Sequence, residues 1–161
     1  MDAPDTVYLA VGTIAESART STEDIAMSAA DSLLAPMDGT EHQKIAGVQI
    51  DITRAGAARI KRVIYPAGFQ WSTHIKPVVG TEFCMHAHVG FLAHGQIHIE
   101  FADGCRKEFT APQAVVIEPG HDGWVVGNEP AVLIEFDFEG TTAQMCGVPD
   151  SHAHGEAAKK G

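Results

Sequence analysis

The sequence predicts an all-β domain preceded by one short helix. Two observations carry this. From Ile45 onward, short runs rich in β-branched and aromatic residues recur between Gly, Pro, Asn and Asp turn signals, the spacing of a β-sandwich or small barrel. Near the end of that region, Val132, Ile134, Phe136 and Phe138 alternate with Glu135 and Asp137, the period of two that a half-buried strand requires.

The elements follow in order. Residues 7–11 read as a short strand or extended arm. Ser21-Thr22-Glu23-Asp24 offers a helix cap with acids in the first turn. Ile25, Ala29 and Leu33 recur at four-residue steps, Ala26, Ala30 and Leu34 widen the stripe, and Pro36 and Gly39 stop it. This is one amphipathic helix of about three turns, laid on the core or on a partner subunit. Expected strands then span 48–53, 58–65, 69–76, 86–93, 97–101, 106–109, 114–117, 124–126 and 131–138. Ala55-Gly56, Pro66-Ala67-Gly68, His94-Gly95, Ala102-Asp103-Gly104, Pro119-Gly120 and Gly127-Asn128-Glu129-Pro130 turn the chain between them. In strand 86–93, Val89, Phe91 and Ala93 share one face, and His86, His88, Gly90 and Leu92 the other. The second face mixes polar and small residues, as the inside of a ligand-holding barrel does. In strand 131–138 the apolar face is expected to pack, with Glu135 and Asp137 opposite. The chain thus divides into an N-terminal arm and helix, 1–40, a β-domain, 41–140, and a C-terminal tail, 141–161, polar and frayed from Asp150.

A chain of 161 residues suits one domain with a real core, and 45% hydrophobic and 20% charged residues are ordinary for a globular protein. A formal charge of −10 argues against nucleic acid and anionic membrane surfaces, which call for basic patches. Lys and Arg are scattered, apart from Arg59-Ile60-Lys61-Arg62 and Lys159-Lys160. The three cysteines, Cys84, Cys105 and Cys146, form no Cys-x-x-Cys pair, so neither a disulfide framework nor a structural zinc knot is expected. The start, Met1-Asp2-Ala3-Pro4-Asp5, is acidic where a signal peptide is basic. No apolar run has the length of a membrane span. A cytoplasmic protein is the expectation.

Histidines carry the functional signal. His86 and His88 stand two apart and present both imidazoles to one side of a strand. Neutral imidazole suits zinc, iron, nickel and copper. His121 lies on a second tight turn, Glu118-Pro119-Gly120-His121-Asp122-Gly123-Trp124. Against this stands the plainer reading of any lone histidine as surface or hydrogen-bonded core. His42, His152 and His154 take that reading, although His152-Ala153-His154 repeats the spacing. His94, beside Gly95, is expected at the surface, and His98 can face inward.

These residues resemble a cupin over residues 63–138. The first cupin motif has the form Gly-x5-His-x-His-x3,4-Glu-x6-Gly, and Gly80, His86 and His88 match its opening. Leu92 and Ala93 stand where its Glu belongs. The second motif carries Pro-x-Gly-x-x-His; Pro119-Gly120-His121 keeps the turn, with the histidine two places early and Gly123 at the usual ligand position. Anchoring on Gly95 instead sets His88 in the place of the Glu and His74-Ile75-Lys76 in the place of His-x-His, after the turn Pro66-Ala67-Gly68. Trp71-Ser72-Thr73-His74-Ile75-Lys76-Pro77 and Gly120-His121-Asp122-Gly123-Trp124-Val125-Val126-Gly127-Asn128-Glu129-Pro130 are similar to runs of one cupin subgroup, from which Pro112-Gln113-Ala114 departs at the usual Pro-Gly-Asp turn.

The resemblance implies a double-stranded β-helix, the jelly-roll barrel of cupins, with a short N-terminal helix, and a divalent metal (zinc, iron or nickel) held by ligands among His74, His86, His88 and His121. His88 stands in the site under both alignments; His74 and His86 compete for the place beside it. Lys76 is a poor metal ligand and suits a substrate carboxylate. Trp71 and Trp124 line the pocket mouth or pack the core. Asp122 orients an imidazole or simply makes the turn. A Cys84–His86 nucleophile is the lesser reading. No residue is singled out as catalytic. The function implied is a metal-binding cupin with a small-molecule pocket, a dioxygenase, isomerase or lyase on a small polar substrate. The alternative is a non-catalytic ligand-binding or sensing cupin without metal. The expected partners are a small molecule and a second subunit in a homodimer.

Overall fold

The computed structural model describes residues 32–153. The 7–11 arm and most of the helix expected from Ser21 lie outside these residues, as does His154; residues 32–34 are helical. Nine strands follow: β1 (Glu41–Ile45), β2 (Val48–Ala55), β3 (Ala58–Tyr65), β4 (His88–His94), β5 (Gln96–Phe101), β6 (Arg106–Thr110), β7 (Gln113–Ile117), β8 (His121–Val125) and β9 (Ala131–Asp137). Short helices α1 (Trp71–His74) and α2 (Lys76–Val79) lie between β3 and β4, and α3 (Thr142–Cys146) follows β9.

The strands form two antiparallel sheets, β1-β2-β3-β9-β4-β7 and β6-β5-β8. One apolar cluster joins them. Val63, Leu92, Ile117 and Leu133 come from the larger sheet, and Ile97, Ile99 and Phe101 from the smaller. Within the larger sheet β9 is central, paired with β3 on one side and β4 on the other. Gly90 makes the second pairing possible: a Cβ there would lie 2.0 Å from Ile134 O. No helix among the described residues is long and apolar enough to cross a membrane.

Three departures from the sequence reading have identifiable causes. The strand expected over 69–76 is instead helical. Asp122 of β8 accepts hydrogen bonds from Ser72 N (3.0 Å), Ser72 Oγ (2.7 Å) and Gln70 Nε2 (2.9 Å), satisfying groups at the start of α1. Pro77 then opens α2, and Gly80, at φ 76°, ends it. β1 is exposed throughout and has no apolar alternation to read. α3 forms where only a tail was expected, with Thr142 Oγ accepting from Phe138 N (2.9 Å).

The first residues of β9, Ala131, Val132 and Leu133, are all buried; from Ile134 on the alternation is real, but its faces are reversed. Glu135 and Asp137 are 1% and 0% exposed, while Phe136 is 53% exposed. The cause is β3, whose Arg59 and Lys61 stand directly opposite Asp137 and Glu135 and turn their cations inward with them.

Candidate functional site

Two backbone ties bring the chain before β4 onto the start of β8. Cys84 N donates to His121 O (2.8 Å), and Gly120 N donates to Cys84 O (2.8 Å). Gly120 adopts φ 89°, a left-handed value that disfavours side chains. His121 therefore enters β8 with its ring buried. Its Nδ1 lies 2.7 Å from Glu118 O. A carbonyl can only accept, so Nδ1 carries the proton, and Nε2 is the nitrogen left for other partners.

His88 opens β4 and is held in the same manner. Its Nδ1 makes a short hydrogen bond with Glu135 Oε1, and its Nε2 lies 3.8 Å from Cys84 Sγ. Glu135 Oε2 meets Lys61 Nζ at 2.9 Å. Lys61 also reaches Asp137 (2.7 Å) and His86 Nε2 (3.2 Å), and Arg59 donates to Asp137 (2.7 Å). Side chains of alternating charge thus run inward from Arg59 to Cys84.

This neighbourhood sets the proton affinities. Burial opposes the charge on Glu135, but His88, His86 and Lys61 hold its carboxyl well below the usual range. Burial lowers His88, and Glu135 and Cys84 outweigh it, raising the imidazole to about 10. Burial raises Cys84, and hydrogen bonds with His121 and His88 outweigh it, lowering the thiol to about 5. Lys61 is raised in the same sense: desolvation is overcome by Glu135 and Asp137. Opposite charges within hydrogen-bond reach stabilise the ionised forms here more than burial disfavours them.

A cavity of about 230 Å³ opens beside these groups. Cys84, His86, His88, His121, Lys61 and Glu135 supply its polar lining. Elsewhere its walls are aliphatic and aromatic, including Ile50, Val63, Ile99, Leu133, Tyr65 and Phe69.

The residues singled out in the sequence divide between two places. His86, His88 and His121 come together: the His86 and His88 rings meet edge-on at 4.9 Å between centroids, and His88 and His121 at 5.2 Å. Trp71 and Trp124 line the cavity. His74 does not join them. Its Nδ1 bonds to the Gln70 backbone and its ring stacks on Phe69 at 5.5 Å. Lys76 pairs with Glu82 (2.7 Å) at the surface. Asp122 serves the start of α1 rather than an imidazole. His98 lies against Trp124 and Glu108, and His152 stacks on Phe101.

Sequence reasoning missed Glu135 and Lys61 and underrated Cys84. The carboxylate absent at Leu92 and Ala93 comes instead from β9, brought beside His88 by the pairing of Gly90 with Glu135. The available signal was the pair of acids in a core strand together with the basic run Arg59-Ile60-Lys61-Arg62. Among the described residues, Cys84, His88 and His121 form one group of side chains able to ligate a metal, and His86, His88 and Glu135 another; within each group the donor atoms lie within 4.8 Å of one another.

The two antiparallel sheets, the histidine pair leading into β4 and the Pro-Gly-His turn leading into β8 are the features in which this chain resembles a cupin. Several solved structures are similar to this chain. One is a Cupin 2 conserved barrel domain protein from Salinispora arenicola CNS-205, at 13% identity over 69% of this chain and 92% of that one, with a TM-score of 0.47. Another is an RmlC-like cupin from Shewanella frigidimarina NCIMB 400, at 19% identity over 63% and 86%, TM-score 0.43. A third is hydroxypropylphosphonic acid epoxidase from S. wedmorenis in complex with fosfomycin, at 14% identity over 65% and 58%, TM-score 0.44. No family model matches the sequence, so the Trp-Ser and Gly-His-Asp runs are tied to no subgroup, and no curated protein matches it.

Proposed function

We propose that this cupin binds one divalent metal ion, zinc, iron or nickel, at the polar end of its cavity and acts there on a small molecule. One observation carries the reading. His88 and His121 each have Nδ1 fixed by an acceptor, Glu135 and Glu118 O, which leaves both Nε2 atoms for the interior. Metal-binding histidines are usually oriented in this way, by an acceptor on the nitrogen that faces away from the ion. His86 stands beside them as a further imidazole. A metal held with an open position supplies Lewis acidity or an oxygen-binding centre, the chemistry of dioxygenases, isomerases and lyases. The sequence suggests a small polar substrate. The apolar walls refine this to a polar head on an apolar body, with Trp71 and Trp124 along its flank.

Elemental analysis of tag-free protein tests the metal. The expected result is one equivalent per chain, lost in both His88→Ala and His121→Ala. Absence of metal after supplementation with iron, zinc, nickel and manganese would sink the reading. Metal kept by both variants but lost on removing the tail from Asp150 would assign it to His152 and His154. The metal-free alternative, a ligand-binding or sensing cupin, draws support from Lys61, whose ammonium lies between His86 and Glu135 and disfavours a cation there.

We place the protein in the cytoplasm as a homodimer. Ile60, Phe91, Val116 and Phe136 leave large apolar side chains exposed on the larger sheet, where Ile60 pairs with Phe136 and Phe91 with Ile134. Contiguous apolar surface of this kind marks an interface. Light scattering that returned a monomer mass would remove the dimer.

A further inference from the structure

We propose that Cys84 is a thiolate ligand of this metal, so that the centre is a sulfur–nitrogen–nitrogen site built from Cys84, His88 and His121. The inference rests on the metal-binding reading above and narrows it: His86 lies outside the coordination set, and Glu135 orients His88 without touching the ion.

Geometry separates the two candidate groups around His88. Donors sharing one tetrahedral ion, at bond lengths of about 2.0–2.3 Å, stand roughly 3.3–3.8 Å apart. Cys84 Sγ lies 3.8 Å from His88 Nε2, and the donors of Cys84, His88 and His121 all fall within 4.8 Å of one another. The three positions are also braced. Cys84 and His121 are tied through their backbones, His121 by its ring to Glu118 O, and His88 by its ring to Glu135. All three side chains line the cavity, so a fourth position can face a ligand in it.

The competing group of His86, His88 and Glu135 fails on two counts. The His88 nitrogen nearest to it is Nδ1, already bonded to Glu135. Its remaining donors are occupied by Lys61, whose Nζ lies 2.9 Å from Glu135 Oε2 and 3.2 Å from His86 Nε2. A second cation would have to displace or adjoin that ammonium. Among the described residues, no lysine or arginine bonds to Cys84 Sγ or to the Nε2 of His88 or His121, and a thiolate with two imidazoles suits zinc or cobalt far better than magnesium, calcium or manganese.

Cobalt titration of metal-free, full-length protein tests this. Wild type is expected to bind one equivalent of Co²⁺ with an intense near-ultraviolet thiolate-to-cobalt band, displaced by zinc. The band should vanish in Cys84→Ser and persist in Cys105→Ser, Cys146→Ser and His86→Ala. Glu135→Gln should keep the band while weakening cobalt binding about 10–100-fold, as loss of an orienting acceptor does. Stoichiometric cobalt without the band in wild type, or a band unchanged in Cys84→Ser, overturns the thiolate and leaves a histidine-held metal standing. Loss of the band in His86→Ala with the far-ultraviolet circular dichroism intact overturns the choice between the two groups. No cobalt bound at all removes both this inference and the metal reading beneath it. Where Cys84→Ser does not fold, the Cys105→Ser/Cys146→Ser double variant, with Cys84 as its one remaining thiol, decides the point: the band kept supports the proposal, and the band lost overturns it.

Discussion

At the scale of single residues, the decisive side chain is Lys61. It lies on β3 and bridges two buried carboxylates, Glu135 and Asp137, each of which has one further close charged partner, His88 and Arg59 respectively, so that without it two buried acids share too few cations. Removing one partner of a buried ion pair is costly because the remaining charge is stranded. Lys61→Met is therefore expected to lose about 3–5 kcal/mol in urea unfolding. A loss below about 1 kcal/mol, the scale of a surface pair, would show that the network does not need its cation. Cys84 is the complementary case. It is a buried free thiol, a type of residue usually inert, yet His88 and His121 hold it in its charged form.

At the scale of elements, the segment between β3 and β4 shows how a distant group overrides local pattern. Trp71-Ser72-Thr73-His74 alternates well enough for a strand. The start of α1 is nevertheless set by Asp122, fifty positions away, which accepts from Ser72 and Gln70. Burial raises the Asp122 carboxyl, but those hydrogen bonds outweigh it and leave it below its ordinary value of 3.8. A depressed carboxylate adds stability that is present above its unfolded pKa and disappears as pH falls through the folded one. Asp122→Asn should thus cost about 1–3 kcal/mol at neutral pH, from donors left without an ionised acceptor. The gap between variant and wild type should close in melts taken below the ordinary carboxylate range. A gap that held constant down to strongly acidic pH would mean that the contribution of Asp122 is not its charge. His74 follows from the same event: once α1 forms, its ring is bound to the Gln70 backbone and stacked on Phe69, away from His88.

At the scale of the whole molecule, the two sheets enclose one apolar cluster, and the polar site sits at one end of the cavity within it. The donors come from β4, β8 and the segment before β4, so an ion bound by them would cross-link the larger sheet to the smaller. A ligand that binds only the native state stabilises it in proportion to its saturation, by about 2.7 kcal/mol at a free concentration a hundred times the Kd. Zinc at that saturation should raise the melting temperature of metal-free protein, and a chelator should reverse the rise. In His88→Ala the melting temperature should not respond to zinc. A response of equal size in that variant would locate the stabilising ion elsewhere.

By itself the sequence determined the fold class, most strand positions and the histidines worth testing. Those depend on short-range period and turn chemistry: the alternation through His88, Gly90 and Leu92, the apolar alternation near the end of the β-domain, and the Pro119-Gly120 turn before His121. Period does not carry direction, however. In β9 the same alternation that predicted a strand put Phe136 inside and Glu135 outside, and only pairing with Arg59 and Lys61 reversed it, because a buried acid is tolerable only beside a buried base. The choice between His74 and His86 was likewise undecidable from spacing, since it turns on Asp122 reaching across to α1. Tertiary structure alone decided which groups surround His88, because Cys84, Glu135 and Lys61 reach it by backbone ties and strand pairings between distant parts of the chain.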